Sequence, residues 1–212
     1  QNVDGLAKTF LEKAVEYAQV VMDSGVYKFD TEFNKLFGSF SKPGSEILMY
    51  RTYSADLAVR HCTASYCNLR EGQNVYGNLS TLKAWICNDG KPYTSSTVDN
   101  VESWRIQDMA VTRDPRFEAT FWREPANTPT GIYCTKFIDR EGPTYSFDEN
   151  TKKGLVRPAK YASNTNTNGA PIIRLAEVVL NWIEAKEELF IHHGGPKVTQ
   201  DDIDRSINAI RN

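Results

Sequence analysis

The sequence predicts a mainly helical fold with a long, loop-rich middle. Apolar residues recur at steps of three and four near both ends of the 212-residue chain, whereas proline, glycine and aromatic residues crowd the middle. The composition, with 40% hydrophobic and 25% charged residues, is typical of a globular protein that has one sizeable core or two small ones. We expect a single domain over 1–212 in three parts: a helix at 1–26, a loop-rich region at 27–169 and a helix pair at 170–212.

The first helix is predicted from an amphipathic stripe. Its apolar positions lie three or four residues apart, at Leu6, Phe10, Ala14, Ala18 and Val21. Gly25 follows and is a typical helix stop, because glycine adopts the left-handed conformation without strain. A repeat-type helix cannot bury such a stripe alone, so we expect the chain to be part of a larger molecule.

The middle of the chain predicts short elements separated by turns. The runs 46–53 and 131–138 are rich in β-branched and aromatic residues, which favours strands. Asp114-Pro115 predicts a helix start whose carboxylate caps the first N–H groups. The polar stretch 163–169 predicts a linker or an exposed loop.

The last segment returns to helical spacing. Apolar residues from 172 to 190 surround the predicted helix almost completely, which indicates deep burial. Pro171 fits the first turn of this helix and Gly194 fits its end. Thr199 and Asp202 have the spacing of a capping signal for a further helix. The apolar face of that helix is formed by Ile203, Ile207 and Ile210.

Charge and motifs exclude several functions. The formal net charge is −2, with 25 Lys and Arg against 27 Asp and Glu, so no basic excess is present and we expect no nucleic-acid partner. No run approaches the roughly 18 apolar residues that cross a bilayer. The motifs of serine hydrolases, zinc proteases and phosphate-binding loops are absent from the sequence, and we therefore do not expect an enzyme.

The four cysteines leave two interpretations open. They are Cys62, Cys67, Cys87 and Cys134, and none stands in a C-x-x-C arrangement. Cys62 and Cys67 have the spacing to form a disulfide across a loop in an oxidising compartment. Four reduced, buried thiols explain the sequence equally well.

Polar residues of the C-terminal helix suggest metal or acid–base chemistry, but each has a simpler explanation. His192 and His193 lie beside a helix end, where positive charge is favourable. Three polar residues share one helical face: Glu177, Asn181 and Glu184. Buried polar groups on such a helix usually bond to a neighbouring helix or, here, to Arg174. We favour the structural roles and expect no metal and no cofactor.

Several segments resemble the SusD/RagB family. The run 170–189 is similar to the long C-terminal helix of that family, and 199–211 is similar to the helix that follows it. Weaker similarities occur in the family's order along the chain, at 17–27, 45–48, 85–92, 113–116 and 136–139. The resemblance covers nearly the whole chain and identifies it as the C-terminal portion of a member.

The resemblance implies a fold and a function. Members have tetratricopeptide-like helix pairs that support a loop-rich ligand-binding region, here 27–169. They are surface lipoproteins of the outer membrane in Bacteroidetes-type bacteria, and they bind glycans without cleaving them. They deliver the glycan to a TonB-dependent transporter of the SusC type. Members are commonly more than twice as long, so we expect the lipid-attached N-terminal cysteine to be missing from this chain.

The aromatic residues of the middle are the candidate ligand-binding residues. A sugar ring has an apolar C–H face and a rim of hydroxyls, so it suits a flat indole or phenol beside amide, carboxylate or guanidinium groups. Trp104 and Trp122 are candidates, although any one aromatic taken alone is better explained as a core residue. The polar segment 51–78 is the stronger candidate, and the predicted site residues are Arg51, Tyr53, Tyr66, Asn68, Tyr76 and Trp85.

Three functions follow, of which we prefer the first. It is capture of an oligosaccharide by aromatic stacking and hydrogen bonds, without chemistry, for a transporter partner. The second is a helical-repeat scaffold that docks a protein and binds no sugar. The third is a glycan-cleaving enzyme with two separated carboxylates.

Overall fold

The computed structural model describes residues 3–38, 44–63, 77–124, 131–137, 162 and 164–211. The chain forms two compact units. The helical unit comprises Gln1–Thr31, Pro43–Arg51 and Pro171–Asn212, and the loop-rich unit comprises Glu32–Lys42 and Thr52–Ala170. The fold is mainly helical, as predicted. None of the helices in the described ranges has both the length and the hydrophobicity that crossing a membrane requires.

The helical unit is built on two long helices, α1 (Val3–Asp23) and α6 (Leu175–His193). Their contact is an apolar cluster of the buried Ala18, Trp182 and Ile183, with Val15, Met22, Val178 and Val198 packed around it. Gly25 follows α1 with a φ of 67°, which confirms it as the predicted stop. The first helix therefore forms where the spacing predicted it.

The predicted stripe of α1 is only partly buried. Leu6 is 53% exposed and Phe10 is 71% exposed, whereas Ala18 is buried. Tyr17 and Val20 are also exposed and lie on the same side as Leu6 and Phe10. Helix α6 covers one side of α1, so the helix keeps a second apolar face on the surface of the described chain.

A two-stranded sheet precedes α6. Strand β1 (Ile47–Arg51) lies within the predicted run 46–53 and pairs with β2 (Ala170–Arg174). The prediction that the helix starts at Pro171 is wrong, because the backbone of 170–174 pairs with β1 and α6 begins at Leu175. Backbone pairing with a distant strand outweighs local helical spacing here.

Glu46 joins the parts of the helical unit. Its backbone oxygen accepts a hydrogen bond from the Leu175 N–H at 2.9 Å, directly at the start of α6. Its side chain is buried, and Oε1 lies 2.6 Å from Nη1 of Arg174. Oε2 accepts a hydrogen bond from the Asp30 N–H at 3.0 Å. One buried carboxylate thus holds the strand–helix junction and the segment after α1, and it is the carboxylate that pairs with Arg174.

Helix α6 buries one face, so the prediction of burial all round is wrong. Trp182 is 2% exposed and is a core residue, as predicted. Leu180 and Phe190 are exposed on the other side, because α1 and the C-terminal helix cover only part of the surface of α6. The helix ends at the predicted position, since Gly194 has a φ of 68° and its N–H donates to the Leu189 oxygen.

The C-terminal helix begins with the predicted cap. It runs as α7 (Gln200–Ile203), a π-helical turn (Asp204–Asn208) and α8 (Ala209–Arg211). The Thr199 hydroxyl accepts from the Asp202 N–H, and the Asp202 carboxylate accepts from the Thr199 N–H at 2.9 Å. This reciprocal pair is a capping box.

The described residues of the loop-rich unit form four short helices, α2 (Phe33–Gly38), α3 (Leu79–Ala84), α4 (Ile106–Thr112) and α5 (Arg116–Thr120). Leu82, Ile106, Met109, Phe117, Phe121 and Ile132 pack together in an apolar core cluster of the unit. Side chains cap two of these helices. Asn78 accepts from the Thr81 N–H at 2.8 Å, and Asp114 accepts from the Arg116 N–H at 3.0 Å, as predicted for Asp114.

The predicted strand at 131–138 is not formed in the described residues 131–137. An isolated bridge pairs Phe121 with Cys134, through hydrogen bonds of 2.8 Å from Trp122 N–H and from Thr135 N–H. The apolar Ile132 of this run packs into the core of the unit. The β-type composition therefore reflects core packing beside one short bridge.

Candidate functional site

A cavity of about 180 Å³ lies in the loop-rich unit beside Tyr53, one of the predicted site residues. Aromatic rings form much of its wall: Phe37 is buried, Tyr53 is half-buried and Phe137 is exposed. The ring of Tyr53 meets the ring of His61 edge to face, with their centroids 4.6 Å apart. The ammonium group of Lys136 lies 4.4 Å from the centroid of Phe37.

Hydrogen bonds hold the polar side of the Tyr53 cavity. The Thr63 N–H donates to Nδ1 of His61, so Nε2 carries the hydrogen and donates to the Asn168 backbone oxygen at 3.1 Å. The Asn168 amide donates from Nδ2 to the Phe137 oxygen at 3.1 Å. Its Oδ1 is buried and accepts no hydrogen bond from any described residue. The cavity therefore combines fixed aromatic rings with a buried amide that has one unused acceptor.

The polar stretch predicted as a linker or an exposed loop is partly buried in its described part, 164–169. Asn166 and Asn168 are buried. The backbone of Asn166 pairs with that of His61 through two hydrogen bonds of 3.0 and 3.1 Å. This pairing brings the amide of Asn168 to the wall of the Tyr53 cavity.

A second, more open cavity of about 340 Å³ lies beside Trp85, another predicted site residue. Trp85 is half-buried. Its indole meets the ring of Phe117 edge to face, with the ring centroids 5.4 Å apart. This contact fixes the indole on the core of the unit. Thr81 and Ile86 line the cavity with it, and Asp114 and Arg116 supply the charged groups of its wall.

Asp114 and Arg116 form a two-pronged ion pair. Nε of Arg116 lies 2.7 Å from Oδ1 of Asp114, and Nη2 lies 2.7 Å from Oδ2. The hydrogen bonds that Arg116 donates to Asp114 outweigh burial and raise the pKa of the Arg116 guanidinium. The Arg116 guanidinium therefore stays charged near neutral pH, and the Trp85 cavity presents an indole beside this guanidinium and the carboxylate that fixes it.

The six predicted site residues do not form one site in the described chain. Tyr53 and Trp85 line separate cavities of the loop-rich unit. Arg51 is exposed at the end of β1, in the helical unit, and lines neither cavity. Tyr66, Asn68 and Tyr76 lie outside the described residues.

The other polar candidates have structural surroundings. Glu177, Asn181 and Glu184 are exposed on α6, so the expected burial of this face is wrong. His192 lies 3.5 Å from Glu188 at the exposed C-terminal end of α6. No group of three or more metal-ligating side chains occurs within the described residues. Cys67 lies outside that part of the chain, so its pairing with Cys62 stays a prediction.

Sequence reasoning missed most of the cavity walls. Phe37, His61, Phe137 and Asn168 come from four separate stretches of chain and have no common motif. Arg116 was part of a family-like segment, Arg113-Asp-Pro-Arg116, but its role beside Trp85 depends on the fold. The one signal that sequence offers is the turn at Asp114-Pro115, which returns Arg116 onto the carboxylate.

Comparisons with known proteins place the chain in a family. The SusD family profile matches residues 45–212, which is more than half of the chain. A SusD-like carbohydrate binding protein from Bacteroides fragilis NCTC 9343 is similar in structure, with a TM-score of 0.59 and 17% sequence identity. That match covers 97% of this chain and 41% of the other, so the chain spans less than half of that relative's length. A search of curated proteins finds no match. The chain belongs to the SusD family.

Proposed function

We propose that the protein binds a glycan on the loop-rich unit and holds it without chemistry. The observation that carries the proposal is the Trp85 cavity, in which an indole lies beside the paired side chains of Asp114 and Arg116. The apolar C–H face of a pyranose would stack on the indole, while its hydroxyls would bond to the guanidinium and the carboxylate. The solved structure from Bacteroides fragilis, itself described as carbohydrate binding, supports the same class of ligand.

The Tyr53 cavity supplies a second contact for the same kind of ligand. Its rings are held by the Phe37–Lys136 and Tyr53–His61 contacts, and Asn168 offers an amide beneath them. An oligosaccharide is a chain of repeated rings, so several small aromatic sites suit it better than one deep pocket. Weak sites in one molecule raise the overall affinity through effective concentration.

We propose that capture serves uptake. As the resemblance implies, the glycan would pass to a SusC-like TonB-dependent transporter in the outer membrane, and the whole protein would be a surface lipoprotein. Cleavage is not part of the proposal, because Asp114 is committed to Arg116 by two hydrogen bonds and is a poor general acid in that pair. The steady absence of released reducing sugar from a bound polysaccharide would test this point.

The test is affinity electrophoresis in gels that contain amylopectin, xyloglucan, galactomannan or polygalacturonate. Retardation by at least one polysaccharide is expected for the wild type. Trp85→Leu keeps an apolar contact with Phe117 but removes the flat ring, so binding should weaken about threefold to tenfold. Tyr53→Leu should weaken binding by a similar or smaller factor.

The matched control is Leu79→Ala. Leu79 is 55% exposed on α3, the helix that precedes Trp85, and it lines neither cavity. The variant should migrate like the wild type in every gel. A wild type that no polysaccharide retards would overturn the glycan proposal, and equal retardation of Trp85→Leu and the wild type would remove the Trp85 cavity from it.

A protein-docking scaffold is the second candidate, and the outer face of α1 favours it. Leu6, Phe10, Tyr17 and Val20 are each more than half exposed on that helix, and such a face is typical of helices that pack on another protein segment. A scaffold predicts no retardation in any of the four gels. The same experiment therefore separates the two functions.

A further inference from the structure

The loop-rich unit carries a third aromatic surface, which lines neither cavity. Trp104 precedes α4 and is 37% exposed. Its indole meets the half-buried ring of Tyr93 edge to face, with the centroids 5.2 Å apart and the planes at 75°. We call these two residues the Trp104 platform.

A buried arginine lies against the platform. Arg113 is 1% exposed, and its guanidinium carbon lies 5.5 Å from the centroid of the Trp104 ring. Nη2 donates to the Val101 oxygen and Nη1 donates to the Thr112 hydroxyl, both at 2.9 Å. Nε has no hydrogen-bond partner, and no carboxylate lies within ion-pair distance of this guanidinium among the described residues.

Hydrogen bonds fasten the segment directly before Trp104. The Ser103 N–H donates to the Asn100 oxygen at 3.0 Å and closes a turn, in which Asn100 has a φ of 60°. The Ser103 hydroxyl donates to Asp108 at 2.5 Å, which ties the segment to the first turn of α4. Arg113 reaches the same segment at Val101. An exposed indole is thereby held in one orientation.

The burial of Arg113 beside Trp104 costs free energy, which suggests that the position of the indole has a function. A single exposed aromatic is ordinary on a protein surface. A buried cation without a carboxylate partner is not, because desolvation of the charge is only partly offset by two hydrogen bonds and one ring. Arg113 acts as a positioning residue: it fixes the segment 101–104 and, with it, the orientation of Trp104. A ring that is already immobile loses little entropy when a ligand stacks on it.

We propose that the Trp104 platform is a further sugar-binding subsite, and that its ligand is a neutral pyranose. The inference rests on the proposed glycan function and adds a subsite to it. Exposed side chains of both signs flank the platform in sequence, at Asp99, Glu102 and Arg105, so charge does not select a uronic acid here. A neutral pyranose is the proposed ligand because stacking on the indole needs only its apolar C–H face. The pyranose face stacks on the indole, and Tyr93 borders it.

Gel retardation by the same four polysaccharides tests the subsite with Trp104→Ala, Trp104→Phe and the control Val111→Ala. Val111 is 70% exposed on α4, directly after the platform segment. Trp104→Ala should weaken binding of a neutral polysaccharide about threefold to tenfold, Trp104→Phe should retain most of it, and Val111→Ala should change nothing. Unchanged binding by a folded Trp104→Ala would overturn the platform and leave glycan binding intact.

A measurement on the wild type covers the case in which Trp104→Ala does not fold. The chain has four tryptophans, so incorporation of 5-fluorotryptophan gives four fluorine resonances, and the one missing in Trp104→Phe is that of Trp104. The retarding polysaccharide, or an oligosaccharide from it, should shift that resonance. A Trp104 signal that stays in place while another moves would refute the platform. Retardation only by polygalacturonate would refute the neutral ligand, and no retardation at all would overturn the glycan function and the platform with it.

Discussion

Two cations with little solvent exposure, the half-buried Lys186 and the buried Arg113, show how differently the two units use charge. In the helical unit, the Lys186 ammonium pairs with Asp202 and lies 4.6 Å from the centroid of Trp182. In the loop-rich unit, Arg113 has no carboxylate in the described structure and bonds to a backbone oxygen and a hydroxyl. The first charge closes a regular contact between helices. The second holds an irregular segment for which no helix or strand provides the hydrogen bonds.

The comparison shows where each unit obtains its order. Helices of 21 and 19 residues satisfy their own backbone and need side chains only at their ends and along one face. Helices of five to seven residues satisfy few of their own groups, so loops around them depend on side-chain bonds. Asn78, Asn88, Asp89 and Asp114 all serve in this way. In its described residues, the loop-rich unit is therefore built from specific polar contacts around a small apolar cluster.

The largest effect is expected from Asp202→Ala. The substitution removes the capping box and leaves Lys186 largely buried without its partner. Because Lys186 retains some contact with solvent, the expected loss in free energy of unfolding is about 3 kcal/mol, at the low end for a broken buried pair. Urea denaturation followed by circular dichroism measures it. Asp204→Asn, an exposed neighbour, is the control, and a loss in Asp202→Ala no greater than the control's would show that the pair contributes nothing.

The pH dependence sharpens the same prediction. Burial by itself raises the pKa of Asp202, but hydrogen bonds from Lys186 and Thr199 outweigh it and lower the pKa to about 2. The pKa of Asp202 in the folded protein lies below the unfolded value of about 3.9. The carboxylate therefore contributes fully to the free energy of unfolding above about pH 4, and this contribution is lost as the pH falls through about 2. Asp202→Asn should therefore lose its deficit relative to the wild type over this window.

Arg113→Met should cost less than Asp202→Ala, and this difference is the test of the comparison. Removal of Arg113 leaves no opposite charge behind among the described residues, only the Val101 oxygen and the Thr112 hydroxyl without their donors. The expected loss is about 1–2 kcal/mol. The same urea titration measures it, and a loss above that of Asp202→Ala would show that the buried guanidinium stabilises the fold itself. The Trp104 side chain should also become more mobile. In a variant that keeps Trp104 as its only tryptophan, this motion would appear as a lower fluorescence anisotropy.

The smallest effects are expected at two helix caps, one in each unit. Thr199→Ala removes one side of a reciprocal capping box and should cost about 1 kcal/mol. Asn78→Ala removes a single hydrogen bond to the Thr81 N–H of a six-residue helix and should cost about 0.5 kcal/mol. Thermal unfolding of both variants beside Thr9→Ala, an exposed residue within α1, measures the difference. A larger loss of stability in Asn78→Ala than in Thr199→Ala would contradict the view that the helical unit relies on side-chain hydrogen bonds mainly at its helix ends.

The helical unit was largely predictable from the sequence. Periodic apolar residues located α1 and α6, and a glycine marked the C-terminal end of each. The Thr199–Asp202 spacing identified the cap of α7. The errors concern partners. Residues 170–174 look helical by spacing but pair with β1, and Leu180 and Phe190 look buried but are exposed. Local spacing records which face is apolar and contains no information on what covers it.

The candidate site was predictable only in part. Tyr53 and Trp85 were selected because aromatic rings in polar surroundings suit a sugar, and both line cavities. Their neighbours could not be selected, since His61 and Asn168 are 107 residues apart and meet only through the folded backbone. The selection of Trp104 as a platform likewise required the burial of Arg113, which no composition reveals.

The sequence by itself determined the class of fold, the long helices with their caps, and the family. These properties depend on contacts between residues a few positions apart or on motifs that stay contiguous, so they can be read along the chain. The tertiary structure alone decided the pairing of 47–51 with 170–174, the walls of both cavities and the contact of Arg113 with Trp104. These depend on backbone hydrogen bonds and burial between distant segments, whose partners are chosen only when the whole chain has packed.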